Sequence, residues 1–188
     1  VAGDLTTTGV PLEPAGTMTY HELFEIYTEQ IAALAEAGAD LLVVETMLGI
    51  DEMTVALEAA QSVCALPVLC SMTVQADGSG YFGGTWVEAV ETLQELGAAA
   101  VGINCSTGPD QLESLVRNMR QAAKVPLLVK PNAGMPEISP EGEAIYSMGP
   151  AAFAQHMRTL IDAGAALVGG CCGTDPRYIS ALRDVLPR

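Results

Sequence analysis

Lysine and arginine are missing from the first 116 of the 188 residues; the first basic residue is Arg117. The whole chain holds 8 basic and 23 acidic residues, for a formal net charge of −15. So acidic a surface repels a phosphate backbone, and no nucleic-acid partner is expected. Long apolar runs are missing too. None reaches the roughly 18 residues that a membrane span needs, and no basic segment followed by an apolar stretch opens the chain as a secretory leader would. We expect no membrane partner and a cytoplasmic location. Cysteine is sparse: Cys64, Cys70, Cys105, Cys171 and Cys172 are an odd number, and two are adjacent. That count is far below a disulfide framework, so the thiols are read as core residues or ligands in a reducing compartment. With 49% hydrophobic and only 16% charged residues, the chain can build a core, which excludes disorder. It opens at Val1 inside an apolar stretch, from which upstream sequence is expected to be missing.

What is present is a repeating alternation. Short β-rich apolar runs at 40–45, 67–73, 99–104, 125–130 and 165–169 have the length of strands buried on both faces, and residues 1–4 read as the end of one more. Amphipathic stretches lie between them. Thr19-Tyr-His-Glu22 and Thr85-Trp-Val-Glu88 are capping-box patterns that open helices over 20–37 and into 89–96. A helix over 51–63 opens at Asp51, and Pro109, Pro150 and Pro176 suit the first turns of helices over 109–123, 150–163 and 176–186. Gly38, Gly97 and Gly164 sit where helices should stop. About six βα units in one domain over 1–188 predict a parallel sheet with helical crossovers. The pieces 5–18, 74–84 and 132–149 read as loops, all on the C-terminal side of strands. A doubly wound sheet and a (β/α)8 TIM barrel both fit the alternation. Asp4, Glu45, Thr73, Cys105, Asn132 and Cys171 fall at or just past strand ends all along the chain, which favours the barrel over a single switch point. A full barrel needs eight units, so the first two are expected to be absent.

The strongest chemical signal is Gly102-Ile-Asn-Cys105 together with Gly169-Gly-Cys-Cys-Gly173. Three thiols at two strand ends suit a tetrahedral zinc with three protein ligands and a fourth position left for substrate. The glycines would let Cys171 and Cys172 both bend toward one ion. Cys64 and Cys70, alone in apolar stretches, read as small core residues. A phosphate cradle is the rival reading of residues 169–174, and it leaves the cysteines unexplained. Lys130 at a strand end offers the Schiff base of a (β/α)-barrel lyase as an alternative, but Pro131 follows it, and the plainer reading is a long lysine that reaches solvent or pairs with an acid. Glu45 at its strand end could hold a substrate ammonium group or act structurally with Lys130. Asn132 could contact metal or substrate, or cap a turn. His21 and His156 lie in helices and receive no role.

These motifs, with Val1-Ala-Gly-Asp4, Val44-Glu-Thr46, the extension of the third through Ser-Thr-Gly-Pro-Asp110, Lys130-Pro-Asn-Ala-Gly134 and the continuation to Thr-Asp-Pro176, resemble the homocysteine S-methyltransferase family in content and order. The likeness is strongest to the homocysteine-binding domain of its cobalamin-dependent methionine synthases. The resemblance implies a zinc-bearing (β/α)8 barrel, with Cys105, Cys171 and Cys172 as the zinc ligands. It gives Glu45 the amino end of homocysteine, puts Asn132 beside the metal and lines the rim with Asp4, Thr46 and Asn104. It implies methyl transfer to the homocysteine thiolate, giving methionine. The donor is expected to be a methylcorrinoid carried, with folate, by other domains or proteins; S-methylmethionine and betaine are the alternatives. The family's Asp-Gly-x-x-Gly-Thr segment, at its first strand, has no counterpart here. A non-catalytic zinc-binding fragment is therefore also weighed.

Overall fold

The computed structural model of the protein describes residues 1–75 and 78–186. Residues 76 and 77, within the expected loop 74–84, lie outside them. Strand and helix alternate as the apolar periodicity predicts: β1 (Ala2–Leu5), α1 (Tyr20–Glu36), β2 (Leu41–Met47), α2 (Ile50–Val63), β3 (Val68–Met72), α3 (Trp86–Glu95) and β4 (Ala100–Cys105). After a 3-10 turn (Pro109–Gln111) come α4 (Glu113–Ala122), β5 (Leu127–Pro131), a hairpin of β6 (Pro136–Ile138) and β7 (Ala144–Tyr146), α5 (Pro150–Asp162), β8 (Leu167–Val168) and α6 (Pro176–Val185).

The helix starts follow their caps. Thr19 and Thr85 accept from the backbone N–H groups of Glu22 and Glu88, which reach back in complete capping boxes, and Asp175 caps α6. Gly38, Gly97 and Gly164 take positive φ just past α1, α3 and α5, where the left-handed turn ends a helix. Two expectations need correction. The helix over 109–123 is split, because Leu112 ends the 3-10 turn and starts α4 with no side-chain cap. The loop 132–149 contains the β6–β7 hairpin, whose three-residue strands are too short to show a period.

The six long-range strands pair in parallel in the order β1-β2-β3-β4-β5-β8. The order never reverses, so there is no switch point, and a doubly wound sheet is ruled out. Right-handed crossovers then place every helix on one face. That face is the apolar core, with Leu42, Val44, Met53, Leu57, Val101, Ile103, Val129, Phe153 and Leu160 all buried. The opposite face carries Asp4, Glu45, Asn104 and Lys130, with Asp4 level with Val43 and Asn104 level with Lys130. The sheet curls around that face. Lys130 on β5 forms an ion pair with Glu45 on β2, although three interstrand steps would part those strands by about 14 Å if the sheet were flat. Among the described residues β1 and β8 each pair along one side only.

The β1–α1 loop is held down by a buried acid. Glu52, in the first turn of α2 and 5% exposed, accepts from Thr7 Oγ1 (2.5 Å), the Thr8 N–H (2.7 Å), Thr8 Oγ1 (2.8 Å) and Tyr27 Oη (3.0 Å). Its place at a helix N-terminus adds a favourable dipole. Burial, and next the neighbouring Glu52 charge, push the Tyr27 phenol up. Glu52→Ala strands these donors and should destabilise the fold by about 3 kcal/mol, estimated from hydrogen bonds to a charged acceptor. A thermal melt should show Tm lower by about 6–12 °C.

Candidate metal centre

Two backbone irregularities build the site. Val44 pairs with Cys70, but Met47 pairs with Met72, so three residues of β2 oppose two of β3. The extra residue is taken up at Glu45-Thr46, where Thr46 has φ 59°. A bulge of this kind re-aims a side chain at the end of a strand, and here it sends Glu45 across the mouth to Lys130. At the end of β4, Cys105 (φ 58°) and Ser106 (φ 62°) also take left-handed backbone. Non-glycine residues seldom do so without support from their surroundings.

The support is Asn104, which is 1% exposed. Its Oδ1 accepts from the Thr46 N–H (2.8 Å) and Ser71 Oγ (2.7 Å). Its Nδ2 donates to Thr46 Oγ1 (2.7 Å) and, at 3.8 Å, to Cys171 Sγ. Thr73 Oγ1 and Ser106 Oγ both donate to the Asn104 carbonyl, and Ser106 Oγ accepts from the Val74 N–H. One amide thus ties β2, β3 and β4 to the cysteine loop after β8.

That loop is anchored from β5. The Cys171 N–H donates to the Pro131 carbonyl (2.9 Å), the Cys172 N–H to Asn132 Oδ1 (3.1 Å), and the Ala133 N–H to the Cys172 carbonyl (2.9 Å). The tight path also needs Gly173, which has φ 77° and would drive a Cβ to 2.3 Å from the Tyr146 ring.

The three sulfurs of Cys105, Cys171 and Cys172 lie within 4.8 Å of one another. Cys105 Sγ is 3.8 Å from Cys172 Sγ, and Cys171 Sγ is 4.0 Å from Cys172 Sγ. Thiolates placed tetrahedrally about 2.3 Å from zinc stand about 3.8 Å apart, so the donor set fits that ion in both chemistry and spacing. Cys105 and Cys171 are shifted in opposite directions. Hydrogen bonding from Cys105, opposed by burial and joined by Asn104, lowers Cys171 to about 5. The reciprocal bond to Cys171, then burial, pushes Cys105 up.

All three cysteines proposed from the sequence are therefore brought together. Glu45, Asp4 and Lys130 meet at the mouth; burial first, and then Glu45, push the Asp4 carboxyl up, against the pull of Lys130. Thr46, Asn104 and Asn132 surround the sulfurs. Cys70 is buried in the core, where burial pushes it up to about 12, and Cys64 is half-buried against it. His21 sits in an exposed pair with Glu25. Sequence reasoning set Thr73 at a strand end without giving it a partner, and missed Ser71 and Tyr146. Burial and the charge of Cys172 push the Tyr146 phenol up, in keeping with its place over the cysteine loop.

The model of the homocysteine S-methyltransferase domain matches residues 1–186. The chain belongs to the homocysteine S-methyltransferase family. Among the relatives of this family member is methionine synthase of Mycobacterium leprae, 30% identical over 186 residues, which cover 96% of this chain and 15% of that protein. The Mycobacterium tuberculosis methionine synthase is 31% identical over 177 residues, with 91% and 15% covered. The chain thus spans about one-seventh of the length of these relatives. The apo form of the homocysteine methyltransferase MmuM from Escherichia coli superposes with a TM-score of 0.79 at 24% identity, over 98% of this chain and 62% of that one. Its metallated form gives 0.69 at 26% identity, over 86% and 51%. The α/β fold with its six-stranded parallel sheet is therefore that of the homocysteine methyltransferases. No helix among the described residues is long and apolar enough to cross a membrane.

Proposed function

We propose that this chain binds homocysteine at the strand-end rim and presents its sulfur to a methyl donor, giving methionine. The observation that carries the reading is the sulfur triangle, with edges of 3.8 and 4.0 Å around a space sized for zinc. Cys105, Cys171 and Cys172 would hold the ion. Zinc bound there supplies Lewis-acid stabilisation of a thiolate, in place of a free thiol with a pKa of about 8.5.

The chain's own residues do the rest. Glu45, with Asp4 beside it, takes the substrate ammonium. Asn104 and Asn132 fix the cysteine side chains and their loop, so no reorganisation is needed when substrate arrives. Thr46 keeps the bulge that aims Glu45. The methyl acceptor is thus fixed at both ends, and the methyl passes in line to sulfur with no covalent protein intermediate. The likeness to methionine synthases supports a methylcorrinoid donor held by another domain or protein. In the same reading the curled sheet is six of the eight units of a (β/α)8 barrel domain over residues 1–188, working in a reducing compartment such as the cytoplasm. A Schiff base at Lys130 is disfavoured, because such a lysine sits in an apolar pocket or beside another cation, whereas Lys130 has Glu45 as its partner.

The test is to load the chain with zinc and titrate it with L-homocysteine in weak buffer at pH 7. Close to one proton should be released per site, because the free thiol is almost fully protonated there. Methylcobalamin, S-methylmethionine and betaine are then compared as donors. Stoichiometric zinc with no proton release would leave a metal-binding fragment and defeat the enzymatic reading.

A further inference from the structure

Among the described residues Lys130 is the one basic residue that lies in a strand. It stands level with Asn104 on the inner face of β5. Its stem runs beside Gly169, just past β8, where a Cβ would come within 3.3 Å of Lys130 Cγ, so a glycine there leaves the stem its path. Its ammonium group pairs with Glu45, three strands away. Both side chains are largely covered, with 27% of Lys130 and 15% of Glu45 exposed. Asp4 lies close enough to feel both charges.

The mouth therefore presents two carboxylates and one ammonium. An α-amino acid brings one ammonium and one carboxylate on a single carbon. Once Glu45 and Asp4 take the substrate's ammonium, its carboxylate lies within reach of the cation that Glu45 was holding. The surroundings supply no other cationic side chain from the first 116 residues, where there is no lysine or arginine. We propose that Lys130 is a specificity-determining residue, which leaves Glu45 on substrate binding and takes the α-carboxylate of the incoming amino acid. This rests on the homocysteine reading above. It makes the Glu45–Lys130 pair a stand-in for the substrate: each group satisfies the other until a zwitterion replaces both contacts.

The inference predicts selection for the carboxylate. Titration calorimetry on the zinc-loaded full chain would compare L-homocysteine with 3-aminopropane-1-thiol, which keeps the thiol and the amine but lacks the carboxylate. The native chain should bind homocysteine about 10- to 100-fold more tightly, the range for losing one partner of a desolvated charge pair. Lys130→Met should weaken homocysteine binding until the two ligands differ by no more than a few-fold. Lys130→Arg should keep most of the preference. Zinc content and a thermal melt verify each variant, and Lys130→Gln replaces the methionine variant if that does not fold. An unchanged ratio in Lys130→Met overturns the proposal. So does tighter binding of both ligands, which would make Lys130 only a competitor for Glu45. If the native chain binds neither thiol, the homocysteine reading itself fails and takes this proposal with it.

Discussion

Cys105→Ser should leave the chain folded and strip it of zinc. The side chain is half-buried, and its sulfur contacts are with the other two cysteines, so the core loses little. Two thiolates from adjacent positions remain. They span only one edge of the tetrahedron, and the serine hydroxyl is a harder and far less acidic donor than a thiol. Groups that merely orient a ligand are worth about 10- to 100-fold in metal affinity; loss of a ligand should cost at least about 100-fold. After dialysis against a chelator, elemental analysis should find one zinc per native chain and almost none in the variant, with the two melting curves close together in the metal-free state. Homocysteine-dependent proton release should disappear with the metal. Full zinc occupancy and native turnover in a folded Cys105→Ser chain would remove the basis for the proposed chemistry.

Glu45→Gln should act on substrate without touching the metal. Glutamine keeps the shape at the bulge but has no charge for an ammonium group, and it leaves Lys130 unpaired in a largely covered site. Truncating one partner of such a contact costs about 2–3 kcal/mol, or roughly 30- to 150-fold in the affinity for homocysteine. The loss should appear mainly in KM, with kcat changed much less, because the reacting sulfur is held at the other end of the molecule. Zinc content should stay at one per chain. A KM equal to that of the native chain would show that Glu45 is only the partner of Lys130.

Much of this was legible because the relevant signals are local. Capping boxes at Thr19 and Thr85, and glycines at 38, 97 and 164, fixed helix ends from a few residues each. The three thiols could be grouped because glycines and strand ends marked them off from Cys64 and Cys70. Strand order was harder, since both parallel architectures give the same alternation; only the spread of polar residues along the chain spoke against a switch point, and the unreversed order agrees with that much. The bulge at Glu45-Thr46 could not be read, because it requires a β-branched residue in a left-handed conformation that its own propensity opposes. It exists because Asn104, far away in sequence, satisfies both the Thr46 N–H and its hydroxyl. Ser71 looks like an ordinary strand residue, and Thr73 like one more polar strand end, until β4 brings Asn104 beside them. Glu52 carries no local signal that sets it apart from Asp51 beside it, because its four donors come from the β1–α1 loop and from α1.

Three side-chain-bearing residues held at positive φ, Thr46, Cys105 and Ser106, also bear on how such a protein can evolve. Each forgoes about 1–2 kcal/mol against a relaxed backbone, so together they give up about 3–6 kcal/mol, where a typical domain's whole margin against unfolding is about 5–15 kcal/mol. Glycine would relieve the backbone at each of them, but at Cys105 it removes a sulfur, and at Thr46 or Ser106 it removes a hydroxyl bonded to Asn104, so none of the three can relax without loss at the rim. Lineages adapting to heat must therefore find their gains in the outer helices and loops, leaving these three positions as the part of the molecule least free to improve.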